Sequence, residues 1–331
     1  MKAVVFEQFG EPGDVLQVKD VPTPEPGPGE VRVRMIASPI NPSDLLVVRG
    51  RYGVLPRLPS IPGFEGVGVV DKAGPGLMGK LAVGKRVTVM NGAGGNWAEY
   101  AVIPWKNARP MPSDLTDDQV ASFFVNPATV LALVSRVLKV PKGERLLQSA
   151  AGSALGKMII RYCKSQGIPT INVVRRREAM AELSELGGDL VLCSADGPVD
   201  EQVLKATGGA GVRFALDPVG GDTGTEIFQS LADDGRMVVY GTLTNEPIRI
   251  DSRRMIAGKR VVEGFWLGHW IREQSIPRAL LLFREIARQI RSGVLATDVG
   301  AKFPLDSIAA AAREAEVPGK PGKVLLTIGR T

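Results

Sequence analysis

Histidine and cysteine are the scarce residues of this chain, with one His (His269) and two Cys (Cys163, Cys193) among 331 residues. Two thiols cannot build a disulfide framework, which suits a reducing compartment. A catalytic zinc usually takes three ligands from His, Cys and carboxylates. Cys163 falls in a helical pattern and Cys193 near a strand end, both far along the chain from His269, so no metal site is expected. No apolar run is long enough to span a bilayer. The opening MKAVVFEQFG reads as a strand and lacks both the apolar core of a secretory signal and an Arg-rich amphipathic presequence. A soluble, cytoplasmic protein with no membrane partner is the expectation. Long basic runs and single-strand stacking motifs are also missing, although net charge is +6 and the pI about 9.4. That balance admits an anionic partner, such as a phosphorylated cofactor or an acyl carrier, and makes nucleic acid a lesser expectation.

What is present is an ordinary globular composition, 44% hydrophobic and 23% charged, in a chain too long for one typical core. Gly (39) and Pro (24) are abundant, as short elements joined by tight turns require. The first 120 or so residues look β-rich. Val31 to Met35 alternates with the period of a half-buried strand, and Val67 to Val70 and Arg86 to Met90 are further strand candidates. Pro22 to Gly29 reads as a rigid loop. Gln119 to Leu138 is helical in pattern, interrupted at Pro127. A regular alternation follows: strands at 145–149, 170–174, 190–193, 212–216 and 236–240, with helices such as Ala154 to Gln166 and Glu178 to Leu186 between them. Such alternation implies a parallel sheet covered on both faces, hence an α/β fold. After Gly264 it stops. An amphipathic helix (Ile276 to Ser292) and a final strand (Lys323 to Ile328) remain, and the simplest architecture returns this tail to the first domain.

The first βα turn reads Ser149-Ala150-Ala151-Gly152-Ser153-Ala154-Leu155-Gly156, a degenerate dinucleotide fingerprint. Small residues let the backbone approach a pyrophosphate at a helix N-terminus, where free N–H groups and the helix dipole favour anions. The next strand ends in Arg175-Arg176-Arg177, where an NAD site usually carries Asp or Glu. Guanidinium groups bind a 2′-phosphate through paired hydrogen bonds, and cations are disfavoured at a helix start for any other reason. The run therefore selects NADPH over NADH.

These residues carry a family. The whole chain resembles the medium-chain dehydrogenase/reductase superfamily, and "SPINPSDLLVVRGRYGVLPRLPSIPGFEGVGVV" resembles its zinc-free branch. In zinc-dependent relatives a Cys occupies the position of Asn41, a His that of Phe64 and another Cys that of Asn126. The segments "NPSD…RGRYGVLPRLP", "FVNPATVLAL", "TINVVRRR" and "EGFWLGHW" resemble the mitochondrial-type trans-2-enoyl-thioester reductases, in which an Asn stands at the position of Phe64. The resemblance implies a GroES-like catalytic domain (1–120), a Rossmann NADPH-binding domain (121–264) and a return to the first domain (265–331). It also implies a homodimer through the Rossmann sheets. Carried over by position, the proton donor falls on Tyr52. The cofactor contacts fall on Asn126, on Gly152, Ser153, Ala154 and Leu155, on Arg175, Arg176 and Arg177, on Tyr240, Gly241, Thr242 and Leu243, on Phe265, Trp266 and Leu267, and on Lys323.

The implied reaction is NADPH-dependent reduction of a 2-enoyl-CoA or 2-enoyl-acyl-carrier-protein, with hydride to the β-carbon and a proton to the α-carbon. A phenol with a reference pKa of ~10 stays protonated at neutral pH and is a ready donor. The developing enolate needs hydrogen-bond donors, which backbone N–H groups can supply. Two other readings remain open: a quinone or α,β-unsaturated carbonyl reductase, and a non-catalytic NADPH-binding protein that uses its basic surface for RNA. Asp44 reads as a cap after Asn41-Pro42, and His269 as structural.

Overall fold

The computed structural model describes residues 1–92 and 94–329. The chain divides into two compact units, Met1–Val125 with Thr297–Thr331, and Asn126–Ala296. The second unit therefore runs on to Ala296, and the return to the first begins at 297, not at 265. Three contacts account for this: Arg136 pairs with Glu285 at 3.3 Å, and Arg161 donates to the carbonyls of Val294 and Ala296 at 3.3 and 2.5 Å. These tie the tail of helix Ile276–Arg291 to the preceding helices, while its Leu282, Ile286 and Ile290 are buried.

The first unit is built on a twisted, mostly antiparallel sheet. In spatial order its strands are Val299–Pro304, Lys323–Thr327, Glu30–Pro39, Glu65–Ala73, Arg86–Met90 and Ala108–Pro110, and Tyr100–Pro104 also pairs with Glu30–Pro39. Alternation explains the long strand: Val31, Val33 and Met35 are fully buried, while Arg32 and Arg34 face outward. The core gathers Trp97, Phe6, Ile103, Val87 and Val89 with Val324 and Leu326 from the returning strand. A ten-residue strand that pairs with three others makes this sheet the frame for the loop that follows it.

The second unit holds six parallel strands. In spatial order they are Leu190–Cys193, Thr170–Val174, Leu146–Gln148, Val212–Asp217, Leu231–Val239 and Val261–Gly264. Numbered along the chain this is 3-2-1-4-5-6, the doubly wound dinucleotide-binding order. Thr170–Val174 is buried at every position, as a central parallel strand must be. Helix Ala154–Gln166 is capped by Ser153, whose Oγ accepts from Gly156 N at 3.0 Å, and ends at Gly167 in the left-handed region. The helical pattern at 119–138 is not one helix. It breaks after Ala121, resumes at Val125–Val130 and passes into a π-helical stretch, Leu131–Val137. Among the described residues no helix is long and apolar enough to cross a membrane.

Candidate active site and cofactor site

In the first unit, helix Pro42–Val48 starts where Asn41 leaves the long strand. Asp44 binds back to the helix start, accepting from Asn41 N at 2.8 Å, and its other oxygen accepts from Phe64 N at 3.0 Å. The expected cap is thus also a link to the segment bearing Phe64. Both donors favour the ionised carboxylate, yet burial outweighs them and pushes Asp44 up to about 7, with the Glu65 charge adding and the Lys323 charge opposing. Beside it, Asn41, Glu65 and Lys323 form a buried chain. Lys323 Nζ donates to Asn41 Oδ1, and Asn41 Nδ2 donates to Glu65 Oε1 at 3.1 Å. Glu65 Oε2 accepts from the amides of Phe124 and Val125 at 3.2 and 2.9 Å. Burial lowers the Lys323 ammonium, against the charges of Glu65 and Asp44. Lys323, an expected cofactor contact, thus has Asn41 as its hydrogen-bond partner in this unit. Among the described residues no three His, Cys, Asp or Glu side chains come together as metal ligands.

Tyr52 lies on the loop after this helix, half-buried, with its ring 5.4 Å from that of Phe64. The loop is therefore aimed by a ring whose own backbone is fixed by Asp44.

In the second unit, the remaining expected residues other than Asn126 stand at one edge of the sheet. Gly152 to Leu155 follow the first strand, Arg175 to Arg177 the second, Tyr240 to Leu243 the fifth and Phe265 to Leu267 the sixth. All are at carboxyl ends, where ligands of doubly wound sheets bind. Asn126 lies in the helix Val125–Val130. A Cβ built on Gly152 would find no atom nearer than 3.9 Å, whereas one on Gly156 would lie 2.6 Å from Ala151 O. Gly156 thus serves the close approach of the helix to the turn at Ala150 and Ala151, and Gly152 leaves open the space before the helix N-terminus. A pyrophosphate fits such a place. Arg175 and Arg176 are exposed, while Arg177 pairs with Asp196 at 2.6 Å. Trp266 packs against His269 with ring centroids 4.3 Å apart and planes tilted by 54°, which gives His269 a packing partner. Tyr240 is partly exposed, but its hydroxyl is buried with no hydrogen-bond partner among the described residues, and burial raises its pKa. A groove of about 540 Å³ lined by Arg145, Thr170, Leu190 and Val212 lies at the amino ends of the strands, the wrong edge for a dinucleotide.

The sequence reading missed Asp217, which ends the fourth strand fully buried. Ser149 Oγ and Val219 N (3.1 Å) donate to its Oδ1, and Gly220 N (2.9 Å) donates to Oδ2. It joins the first and fourth strands where the strand order reverses. Burial raises its pKa, against those three donors. The available signal was a carboxylate closing an apolar strand and opening "DPVGG". Glu65 was missed as well, although it follows directly on Phe64.

Comparisons agree with this geometry. Residues 27–113 match the alcohol dehydrogenase GroES-like domain, and residues 154–285 match the zinc-binding dehydrogenase family. The chain is 32% identical to the mitochondrial enoyl-[acyl-carrier-protein] reductase of Xenopus tropicalis, over 98% of this chain and 95% of that protein. It is 31% identical to the Homo sapiens protein of the same name, over 99% and 89%. Among solved structures, the Escherichia coli quinone oxidoreductase complexed with NADPH superposes with a TM-score of 0.91 at 26% identity, covering 99% and 100% of the two chains. The chain belongs to the medium-chain dehydrogenase/reductase superfamily of oxidoreductases. Within it, the similarity extends to both the enoyl-acyl-carrier-protein reductases and the quinone oxidoreductases.

Proposed function

We propose that this protein is an NADPH-dependent reductase of 2-enoyl thioesters, with Tyr52 as proton donor. The observation that carries the reading is the match along nearly the whole of both chains to an enoyl-[acyl-carrier-protein] reductase. Tyr52, half-exposed on its loop and backed by Phe64, supports it. When bound, NADPH supplies the hydride that reaches the β-carbon. The open space at Gly152 and the N-terminus of helix Ala154–Gln166 take its pyrophosphate, and Arg175 and Arg176 take the 2′-phosphate. Phe265 and Trp266 form an apolar wall. Tyr52 holds a proton on its hydroxyl oxygen for the α-carbon. The test is NADPH oxidation with a chain-length series of 2-enoyl-CoA substrates beside quinones and simple enones. Higher kcat/KM for the thioesters supports the reading, and higher values for the quinones turn it to the second branch. An Arg175→Ala, Arg176→Ala variant with an unchanged NADPH-to-NADH preference would remove the arginines from it.

The same reading includes a homodimer. Strand Val261–Gly264 is a sheet edge paired on one side only, and Val261 is exposed. An unpaired edge is a template for a second copy of itself. Light scattering on the eluting protein checks the mass.

A further inference from the structure

The loop that carries Tyr52, Arg51-Tyr52-Gly53-Val54-Leu55-Pro56-Arg57-Leu58-Pro59, is a strap fixed at both ends, with Tyr52 and Leu58 packed against the core and Gly53 to Leu55 exposed between them. At its start, Arg49 binds Glu11 (2.6 to 3.2 Å) and Glu316 (2.7 and 2.9 Å) together, and Arg51 N donates to Leu46 O at 2.9 Å. At its end, Ser60 and Phe6 exchange two backbone hydrogen bonds of 3.0 Å. Among the described residues the backbone from Gly53 to Pro59 makes none. Its position is therefore set by the two tethers, by the Tyr52–Phe64 ring pair and by Leu58 packed against the core, while Gly53, Val54, Leu55 and Arg57 stay exposed to a ligand.

Two features of that middle stand out together. Val54 and Leu55 are consecutive large apolar residues exposed by 64% and 42%. Arg51 and Arg57 flank them, both exposed. Glu11, the carboxylate whose pKa the Arg51 charge helps to lower, is already bound to Arg49. The depression behind the strap, lined by Asp44, Val47, Pro56 and Phe64, has a volume of only about 10 Å³, so nothing is received beneath it. A ligand that suits this surface has an aliphatic arm and an anionic group set away from its reacting end. Arg57 is five residue steps along the chain from Tyr52, a span of at most ~18 Å. Quinones carry no such anionic group, and simple ones such as 1,4-benzoquinone carry no arm either. Phosphopantetheine thioesters carry both, whether the phosphate belongs to coenzyme A or to a carrier protein.

We propose that the strap recognises the phosphopantetheine arm, with Arg57 and Arg51 binding its phosphate and Val54 and Leu55 packing along its chain. This rests on the thioester reading above and names what separates that substrate class from quinones.

The experiment compares crotonyl-pantetheine, crotonyl-phosphopantetheine, crotonyl-CoA and crotonyl-acyl-carrier-protein with 1,4-benzoquinone, in the full-length protein with NADPH. For the parent, the phosphate-bearing thioesters have the higher kcat/KM, and their KM rises with salt. In Arg51→Ala, Arg57→Ala the ratio of kcat/KM between crotonyl-phosphopantetheine and crotonyl-pantetheine falls about ten-fold, through KM, as loss of a charge-assisted contact requires. In Val54→Ser, Leu55→Ser all thioesters weaken relative to benzoquinone. Parallel losses with coenzyme A and the carrier protein mean that both are read through the shared arm, and a loss with one alone identifies the source. A parent that reduces crotonyl-CoA while the ratio is the same in the arginine variant overturns the strap proposal alone. A parent that reduces benzoquinone and no thioester overturns the thioester reading itself.

Discussion

The ring of Tyr52 stands 5.4 Å from that of Phe64, tilted by 38°. Phe64 is fixed in turn through its amide, which donates to Asp44. The pair therefore holds the phenol at the root of the strap. Tyr52→Phe keeps the ring contact and removes the proton. We expect kcat on crotonyl-CoA to fall by ~10²-fold or more, as loss of a general acid does, with NADPH affinity unaltered by fluorescence titration. Unchanged turnover would take Tyr52 out of the chemistry.

Gly152 and Gly156 belong to the same turn but answer to different constraints. A Cβ on Gly156 would press to 2.6 Å from Ala151 O and 2.7 Å from Ala151 Cα, both backbone atoms that cannot yield without moving the strand end. Gly156→Ala should lower Tm in the absence of cofactor, by a strain cost of ~1–3 kcal/mol. A Cβ on Gly152 meets nothing within 3.9 Å, so Gly152→Ala should fold with a parental Tm and lose NADPH affinity. If both variants lose stability and neither loses affinity selectively, the open space is not the pyrophosphate site.

The parallel sheet was legible because its strands are short apolar runs bounded by Gly or Pro, and the helix Ala154–Gln166 because its apolar residues recur on one face. The return point was not. The amphipathic helix Ile276–Arg291 announces a buried face without saying which unit covers it, and the contacts that decide it come from Arg136 and Arg161, more than a hundred residues earlier. The π-helical turn at Leu131–Val137 was hidden for a similar reason, since its residues suit an α-helix equally well. Tyr52 and the arginine run stand out as candidates by local pattern and family likeness. The Lys323–Asn41–Glu65 chain could not, because Lys323 and Asn41 are 282 residues apart in sequence and meet only when the last strand joins the sheet.

Asp217 makes a demand that only a carboxylate meets. Ser149 Oγ and two amides donate to its two oxygens, so both must accept. Asp217→Asn preserves shape but turns an amide donor against a backbone donor or the Ser149 hydroxyl. A buried donor left unsatisfied costs ~1–3 kcal/mol. We expect a lower Tm and weaker NADPH binding, because the same carboxylate sets the start of the Gly152 turn through Ser149. Ser149→Ala removes one donor and leaves the amides paired, so its loss should be smaller. Equal stability of the parent and Asp217→Asn would contradict this account.

Asp44 gives stability a pH dependence of defined sign. Its carboxyl is raised from 3.8 to about 7 in the folded chain, chiefly by burial. Below about pH 4 both states hold the proton and Asp44 contributes no slope. Between about 4 and 7 the folded state holds the proton that the unfolded state has released, so rising pH favours unfolding, with a limiting slope of ~1.4 kcal/mol per pH unit. Above 7 both states are ionised, and the cost of the buried charge is constant. Lys323 acts at the other end of the scale, since its lowered ammonium gives a slope of opposite sign in alkaline solution. Asp44→Asn removes the acidic slope and also one of the two amide acceptors, so its Tm starts lower but should change less between pH 5 and pH 7.5 than that of the parent. Parallel Tm–pH curves for the two proteins would show that Asp44 remains ionised throughout, held by the amides of Asn41 and Phe64 against its burial.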